Sequence, residues 1–565
     1  MATTLRARHR STIAVAVLTF ALVASACSGS GSSGNSGSGN NTSTTPTTAG
    51  TAQSGGSVTW ALPAETSGGW CLQEGQLAIS GIQVARAIYD TLTVPDATEQ
   101  YKGMLAQSVT GNAAHTVWTI KLRPGIKFSD GSALDATVVK NNLDAYRGSY
   151  PARHPQLFIF IFKAYIHDVK VVDPLTVEVD TVPWVAFPAY LYGSGRFGIM
   201  GQAQLDDPAT CSSKLIGTGP FMEKSWKRND QFVAVRNPNY WRKDKNGVQL
   251  PYLDQITFKP IVESAQTLNG IQSGNVDLAL DDNATNIVAY RQLEKDGKIN
   301  LTESLKYPEL AYTMFNVTKL PFSNLNARLA FAYAVDRDQE NKLRNKDVSP
   351  LASGPFGPGV MGYLADPGLP KYDVAKAKQY VAKYTQETGK PLEFTYVSAG
   401  TDPDLLKTVA LIKTYVEKAG LKMTVKAVDE SQGINQALGK QFDAIGWRNH
   451  PGFDPDTEFV WWHCNNKVVP CDNLVNFGGF NDPVINKALE DGRAESDPAK
   501  RKADYETVNR QFAKMVYDGW GWEADWAIPA SLKVHGIGNL PLPDGSAPFP
   551  GFTSGIDPAG VWVTK

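Results

Sequence analysis

Long hydrophobic runs, net charge and familiar catalytic motifs are all scarce in this 565-residue chain, and each scarcity closes off a class of protein. The apolar run from Ile13 to Val23 falls short of the roughly 20 residues that a membrane-spanning helix requires. A formal net charge of -1 gives no general attraction to nucleic acid or to anionic lipid. There is no G-x-x-x-x-G-K-[ST], no H-E-x-x-H and no G-x-S-x-G, and the glycine turns at Gly193–Gly195 and Gly217–Gly219 lack the spacing of a dinucleotide loop. Binding without covalent chemistry is therefore the expectation: no enzyme, no cofactor and no metal. No fixed-period repeat is visible.

What is present begins at the N-terminus. Arg6, Arg8 and Arg10 precede the apolar run, which ends in Ala24-Ser25-Ala26-Cys27. A basic start, a short apolar segment and small residues before a cut site describe an export signal over residues 1–26. A cut ending in Ala-Cys resembles the bacterial lipoprotein box, in which Cys27 becomes the acylated N-terminus. Residues 27–55 then hold little but Gly, Ser, Asn, Thr and Ala, with no aromatic. Such a tract cannot bury enough surface to fold and acts as a flexible tether reaching about 30 Å. Signal, cysteine and tether in this order place a folded body on the outer face of a bacterial cytoplasmic membrane, held by lipid.

Four cysteines remain: Cys71, Cys211, Cys464 and Cys471. An even number in an exported chain implies two disulfides with three possible pairings. Cys464 with Cys471 is the favoured local pair, because the short segment between them can close a loop. A zinc site from His450, His463, Cys464 and Cys471 competes with this, but the spacing matches no standard arrangement.

The body is long enough for two or three domains, and 42% hydrophobic residues supply a sizeable core. Its pattern is mixed α/β. Strands are expected at Val58–Leu62, Val117–Leu122, Ile256–Ile261, Leu392–Val397 and Leu421–Val428, with a hairpin over Val169–Val179. Helices are expected at Ile79–Tyr89, Ala136–Tyr146, through Leu268 and Ile271 to Gly274, at Ala375–Thr385 and at Leu405–Ala419. Such alternation argues for parallel sheets covered by helices.

The stretch Trp118-Thr119-Ile120-Lys121-Leu122-Arg123-Pro124-Gly125-Ile126-Lys127-Phe128-Ser129-Asp130-Gly131 resembles the peptide-type, family 5 solute-binding lipoproteins of ABC importers, the family of oligopeptide, dipeptide and nickel receptors. Matches in the same order follow at Gly217–Phe221, Arg236–Trp241, Leu268–Asp277, Ala327–Arg337, Phe442–Trp447 and Asp454–Asp456. The resemblance implies a periplasmic-binding-protein-like fold of two α/β lobes joined by a hinge. Lobe I would comprise residues 56–95, 215–305 and 525–565, an extra subdomain 96–214, and lobe II 306–524. It further implies a monomeric receptor that encloses a peptide or other small polar ligand between its lobes and delivers it to permease and ATPase subunits. The alternative on the same scaffold is a binding or regulatory lipoprotein of the envelope without a transport role.

In the family's peptide receptors, an aspartate three residues beyond the Gly-Trp pair meets the peptide's amino group. Here His450 stands at that place, and a shift in loop length would bring Asp454 in instead. The resemblance thus makes Trp447, Arg448, Asn449, His450, Asp454 and Trp461 candidate ligand residues, with Trp70 approaching from the loop after the first strand. Arg448 and His450 suit an anionic or hydroxyl-rich end, since arginine offers a fork of donors to carboxylate or phosphate. Trp520, Trp522 and Trp526 are expected to pack at the hinge return.

Overall fold

The computed structural model describes residues 51–565 apart from positions 67, 76, 157–158, 450–451, 465–474 and 552–554, so the expected signal segment, Cys27 and most of the tether lie outside the described residues. Local sequence accounts for most of the elements. Val117–Leu122 alternates inward and outward residues as a half-buried strand should. The Asp135 carboxylate accepts from Val138 N at 2.9 Å and starts helix Ala136–Tyr146. Helix Ser264–Ser273 stops at Gly274, which adopts φ 75° where a side chain would be strained. Asp402 caps helix Pro403–Lys418, whose first residue is a proline.

A ten-stranded sheet runs through the body in the order Lys422–Val428, Glu393–Ala399, Ala444–Asn449, Ile299–Phe315, Asp518–Ser531, Leu278–Ala279, Ser57–Leu62, Gln255–Pro260, Gln231–Arg236, Phe221–Lys227. The parallel pairing expected from the α/β alternation holds for Ser57–Leu62 with Gln255–Pro260 and for Glu393–Ala399 with Lys422–Val428. It fails in the middle. Ile299–Phe315 and Asp518–Ser531 are 17 and 14 residues long and pair antiparallel.

These two strands serve both halves of the sheet. Ile299–Ser304 pairs with Trp526–Ser531, and Ala530 also pairs with Leu278 on the side of the first strand. Leu310–Phe315 instead pairs with Ala444–Asn449 on the other side. Between the halves the register shifts twice, from Ser304 to Glu309 and again from Leu310 to Tyr312. Interrupted pairing is where a sheet bends. A separate antiparallel four-stranded sheet, Ala106–Gly111, Val117–Leu122, Thr176–Thr181 and Ile166–Asp173, lies within residues 96–214.

Cys71 and Cys211 are joined, with Cα atoms 4.8 Å apart. Cys464 is also disulfide-bonded, while Cys471 lies outside the described residues. Gly69 sits at φ +75° beside this first bridge, where a Cβ would come within 2.8 Å of the Cys211 carbonyl oxygen.

Candidate functional site

A cavity of about 1050 Å³ opens at the place where the long strands lose register. Both halves of the sheet contribute walls: Asp281 and Asp282 from one, Trp447 and Arg448 from the other, and Glu309 and Trp522 from the two long strands. That volume matches the upper range of small-molecule sites.

Arg448 lies on strand Ala444–Asn449, paired with Ala311. Its guanidinium meets the Asp282 carboxylate, stands 3.7 Å from Glu309 and lies 5.2 Å over the Trp526 ring. Burial disfavours its charge, but Asp282, Glu309 and Glu430 more than offset that and raise its pKa. Glu309 is itself fixed by the Trp526 indole N–H at 2.9 Å. Glu430 keeps some accessible surface, yet that surface faces the cavity, and burial pushes its carboxyl up to about 7. The pair Arg448–Asp282 also joins the two halves of the sheet across the cavity.

Of the residues singled out in the sequence, Trp447 and Arg448 line the cavity, and His450 lies outside the described residues. The others are elsewhere. Trp70 is 1% exposed and packs edge-on against Phe232 at 5.0 Å and Trp226 at 5.5 Å, so it belongs to the core and not to the cleft. Asn449 is buried; its Oδ1 accepts from the Tyr312 hydroxyl at 2.8 Å and its Nδ2 donates to Glu458 at 2.5 Å. Asp454 caps the turn Pro455–Glu458 and takes both Arg501 N–H groups at 2.7 and 2.9 Å, which commits its carboxylate to structure. Trp461 packs on Phe477 at 5.9 Å, away from the cavity wall. His463 is fully buried, stacks on Phe459 at 4.2 Å and pairs through Nε2 with Glu490 at 2.8 Å, while His450 and Cys471 of the competing zinc reading lie outside the described residues.

Trp520 and Trp522, expected only to pack at the hinge return, also border the cavity. Trp526 and Trp520 are both buried; Trp520 packs on Tyr312 at 4.9 Å and Phe512 at 5.9 Å, and Trp522 is half-buried. Strand alternation explains why Trp520 and Trp522 share a face. Asp282, Glu309 and Arg344 were also invisible as site residues. They come from well-separated stretches with no motif between them, and only the sheet brings them together.

A model of the family "Bacterial extracellular solute-binding proteins, family 5 Middle" matches residues 100–469. The glutathione-binding protein GsiB of Pectobacterium atrosepticum is 27% identical over 463 residues, covering 80% of this chain and 84% of that one. Its Escherichia coli K12 counterpart is 28% identical over 436 residues, covering 75% and 81%. Among solved structures, AgaA of A. tumefaciens R10 in complex with agropinic acid superposes with a TM-score of 0.78 at 23% identity, covering 90% of this chain and 99% of that one. The oligopeptide-binding protein AppA of Bacillus subtilis, in complex with a nonapeptide, gives 0.77 at 19% identity, covering 91% and 100%. These relatives are binding proteins, and their structures share the two-lobed fold. By its sequence match across most of its length, the chain belongs to the family 5 bacterial extracellular solute-binding proteins.

Proposed function

We propose that this protein is the receptor of an ABC importer, capturing a peptide-like polar solute between two lobes and passing it to a permease. The observation that carries the reading is the cavity itself. It lies at the register break of the only two strands shared by both halves of the sheet, among the described residues, and it is walled by both halves. Rotation about that break opens the site to solvent; closure expels water and strengthens every polar contact inside. The break supports lobe boundaries near residues 305 and 525, with lobe I as 56–95, 215–305 and 525–565, lobe II as 306–524, and 96–214 as an extra subdomain. Glutathione, bound by the named relatives, is the first solute to test.

Native mass spectrometry of the purified protein tests this reading. A small-molecule mass that leaves on unfolding is expected. The reading fails if no such mass is found and neither glutathione nor short peptides shift the melting midpoint. Trp447→Ala should then weaken glutathione binding by about 2 kcal/mol or more, roughly thirtyfold, as loss of a cleft aromatic does; an unchanged titration would place the site away from this wall.

The export signal and Cys27 support a lipid anchor. Cys27→Ser should move the protein from the membrane fraction to the soluble fraction, and retention in the membrane would remove the anchor from the proposal.

A further inference from the structure

The cavity holds ten acidic and six basic residues, which by count alone favours a cationic guest. Hydrogen bonding reverses that conclusion. Asp282 is committed to Arg448, Asp281 to Asn286 and Tyr290, Asp402 to the Ser264 amide and its own helix N-terminus, and Asp404 to Lys407 and Asn283. The acids are largely occupied by the protein. Glu340, Glu430 and Asp518 are exceptions, each pushed by burial above the ordinary carboxylate range and so toward the neutral form, and the wall carries spare donors beside them.

Three buried donors on residues that line the cavity have no acceptor among the described residues: Nε of Arg337, Nε of Arg344 and Nε1 of Trp520. A buried donor left without a partner costs free energy that a ligand acceptor would recover. Arg337 and Arg344 lie seven residues apart on helix Arg337–Asn345, hence on one face and about 10 Å apart along its axis. Arg337 is turned by its Nη2 onto the Gly521 carbonyl at 3.2 Å. Arg344 is different. Its guanidinium lies 3.9 Å over the Trp522 ring, it donates only to the neighbouring Asn345, and among the described residues no carboxylate lies within 4 Å of it. A planar guanidinium held flat on an indole keeps its N–H edge free for bidentate acceptance by an oxyanion.

We propose that Arg344, laid on Trp522 and flanked by Arg337 and the Trp520 indole, forms an anion subsite that receives a carboxylate or phosphate of the captured solute. The inference rests on the receptor reading above and names the chemistry of one end of its ligand. The remaining charge in the neighbourhood agrees. Burial holds the Arg344 guanidinium below its ordinary value, with Asp282, Glu340 and Asp402 pulling upward and Arg448 downward, so nearby carboxylates do not offset its desolvation. Glu340, one turn from each arginine, is pushed up by burial to about 7, so at neutral pH it supplies only part of a compensating charge.

Isothermal titration of the full protein with trialanine, trialanine amide, glutathione and inorganic phosphate tests this, with wild type beside Arg344→Gln. Trialanine or glutathione should bind wild type, with trialanine amide at least tenfold weaker than trialanine. Arg344→Gln should weaken the carboxylate-bearing probes by tenfold or more and bring acid and amide within twofold of each other. Arg344→Lys keeps the charge without the fork and should fall between, which also guards against a folding defect in the first variant. Phosphate binding that is lost in Arg344→Gln, with no peptide binding, assigns the subsite to a phosphate-bearing solute. Equal affinity of acid and amide, or equal loss of both in Arg344→Gln, overturns the subsite and leaves the receptor reading standing. Binding of none of the probes to either protein overturns both.

Discussion

Arg493→Met is expected to lower the unfolding free energy by about 3–5 kcal/mol, the cost of stranding a buried carboxylate. Arg493 and Asp456 are 1% and 0% exposed. The guanidinium donates to Asp456 at 2.8 Å and to the Tyr190 hydroxyl at 3.0 Å, and it lies 3.5 Å over Phe459 and 4.3 Å over Trp184. The Trp184 indole donates to the second Asp456 oxygen at 2.7 Å. Methionine restores the packing but none of the positive charge, so the buried Asp456 side chain loses its counter-charge and a hydrogen-bond donor. The cluster also ties Trp184 and Tyr190, in the segment 96–214, to residues beyond 450, so the loss is not confined to one helix. Urea unfolding followed by tryptophan fluorescence measures it. Asp456→Asn in the same protein removes the stranded charge while keeping an acceptor for Trp184, and the double variant should recover part of the loss. A single variant within 1 kcal/mol of wild type would show that the aromatic cage, and not the ion pair, holds this seam.

The contrast between what the sequence announces and what it conceals follows from how each feature is held. Helix Ser264–Ser273 and strand Val117–Leu122 carry their own signals, an αL glycine stop in one and a clean alternation in the other. The two long strands carry none. Ile299–Phe315 is punctuated by Glu303, Lys306 and Glu309, which break any apolar period. Those charges are tolerated because distant residues satisfy them: Arg291 pairs with Glu303 at 2.8 Å, Glu99 with Lys306 at 2.9 Å and Trp526 with Glu309 at 2.9 Å. A strand whose polar groups are satisfied only in the finished fold cannot be read from its own residues. The cleft has the same character. Trp447 and Arg448 were visible through the Gly-Trp run, but Asp282 and Arg344 are single residues in unremarkable surroundings. Trp70 shows the converse error, since position in the chain suggested a cleft wall while Phe232 and Trp226 bury it.

Replacing Cys71 and Cys211 together by serine should cost up to about 5 kcal/mol, because the bridge they form closes a long loop. The two cysteines are 140 residues apart, so cutting the bond releases the unfolded chain from a constraint spanning residues 71–211. A bridge between near neighbours such as Cys464 and Cys471 would restrict far fewer unfolded conformations, so the long pairing is the one with thermodynamic weight. The native surroundings are also built around it: Trp70 N donates to the Cys211 carbonyl at 2.7 Å, Gly75 N to the Cys71 carbonyl at 2.7 Å, and Arg153 reaches the Cys211 sulfur at 3.4 Å. Serine at both positions keeps these backbone contacts, which separates the cross-link from its packing. Guanidinium unfolding of the oxidised wild type and the double variant should therefore show a clearly lower midpoint for the variant. Dithiothreitol should move the wild-type midpoint most of the way to it. Coincident midpoints would mean that packing around Trp70 alone secures this corner, and that the loop is already restrained in the unfolded chain.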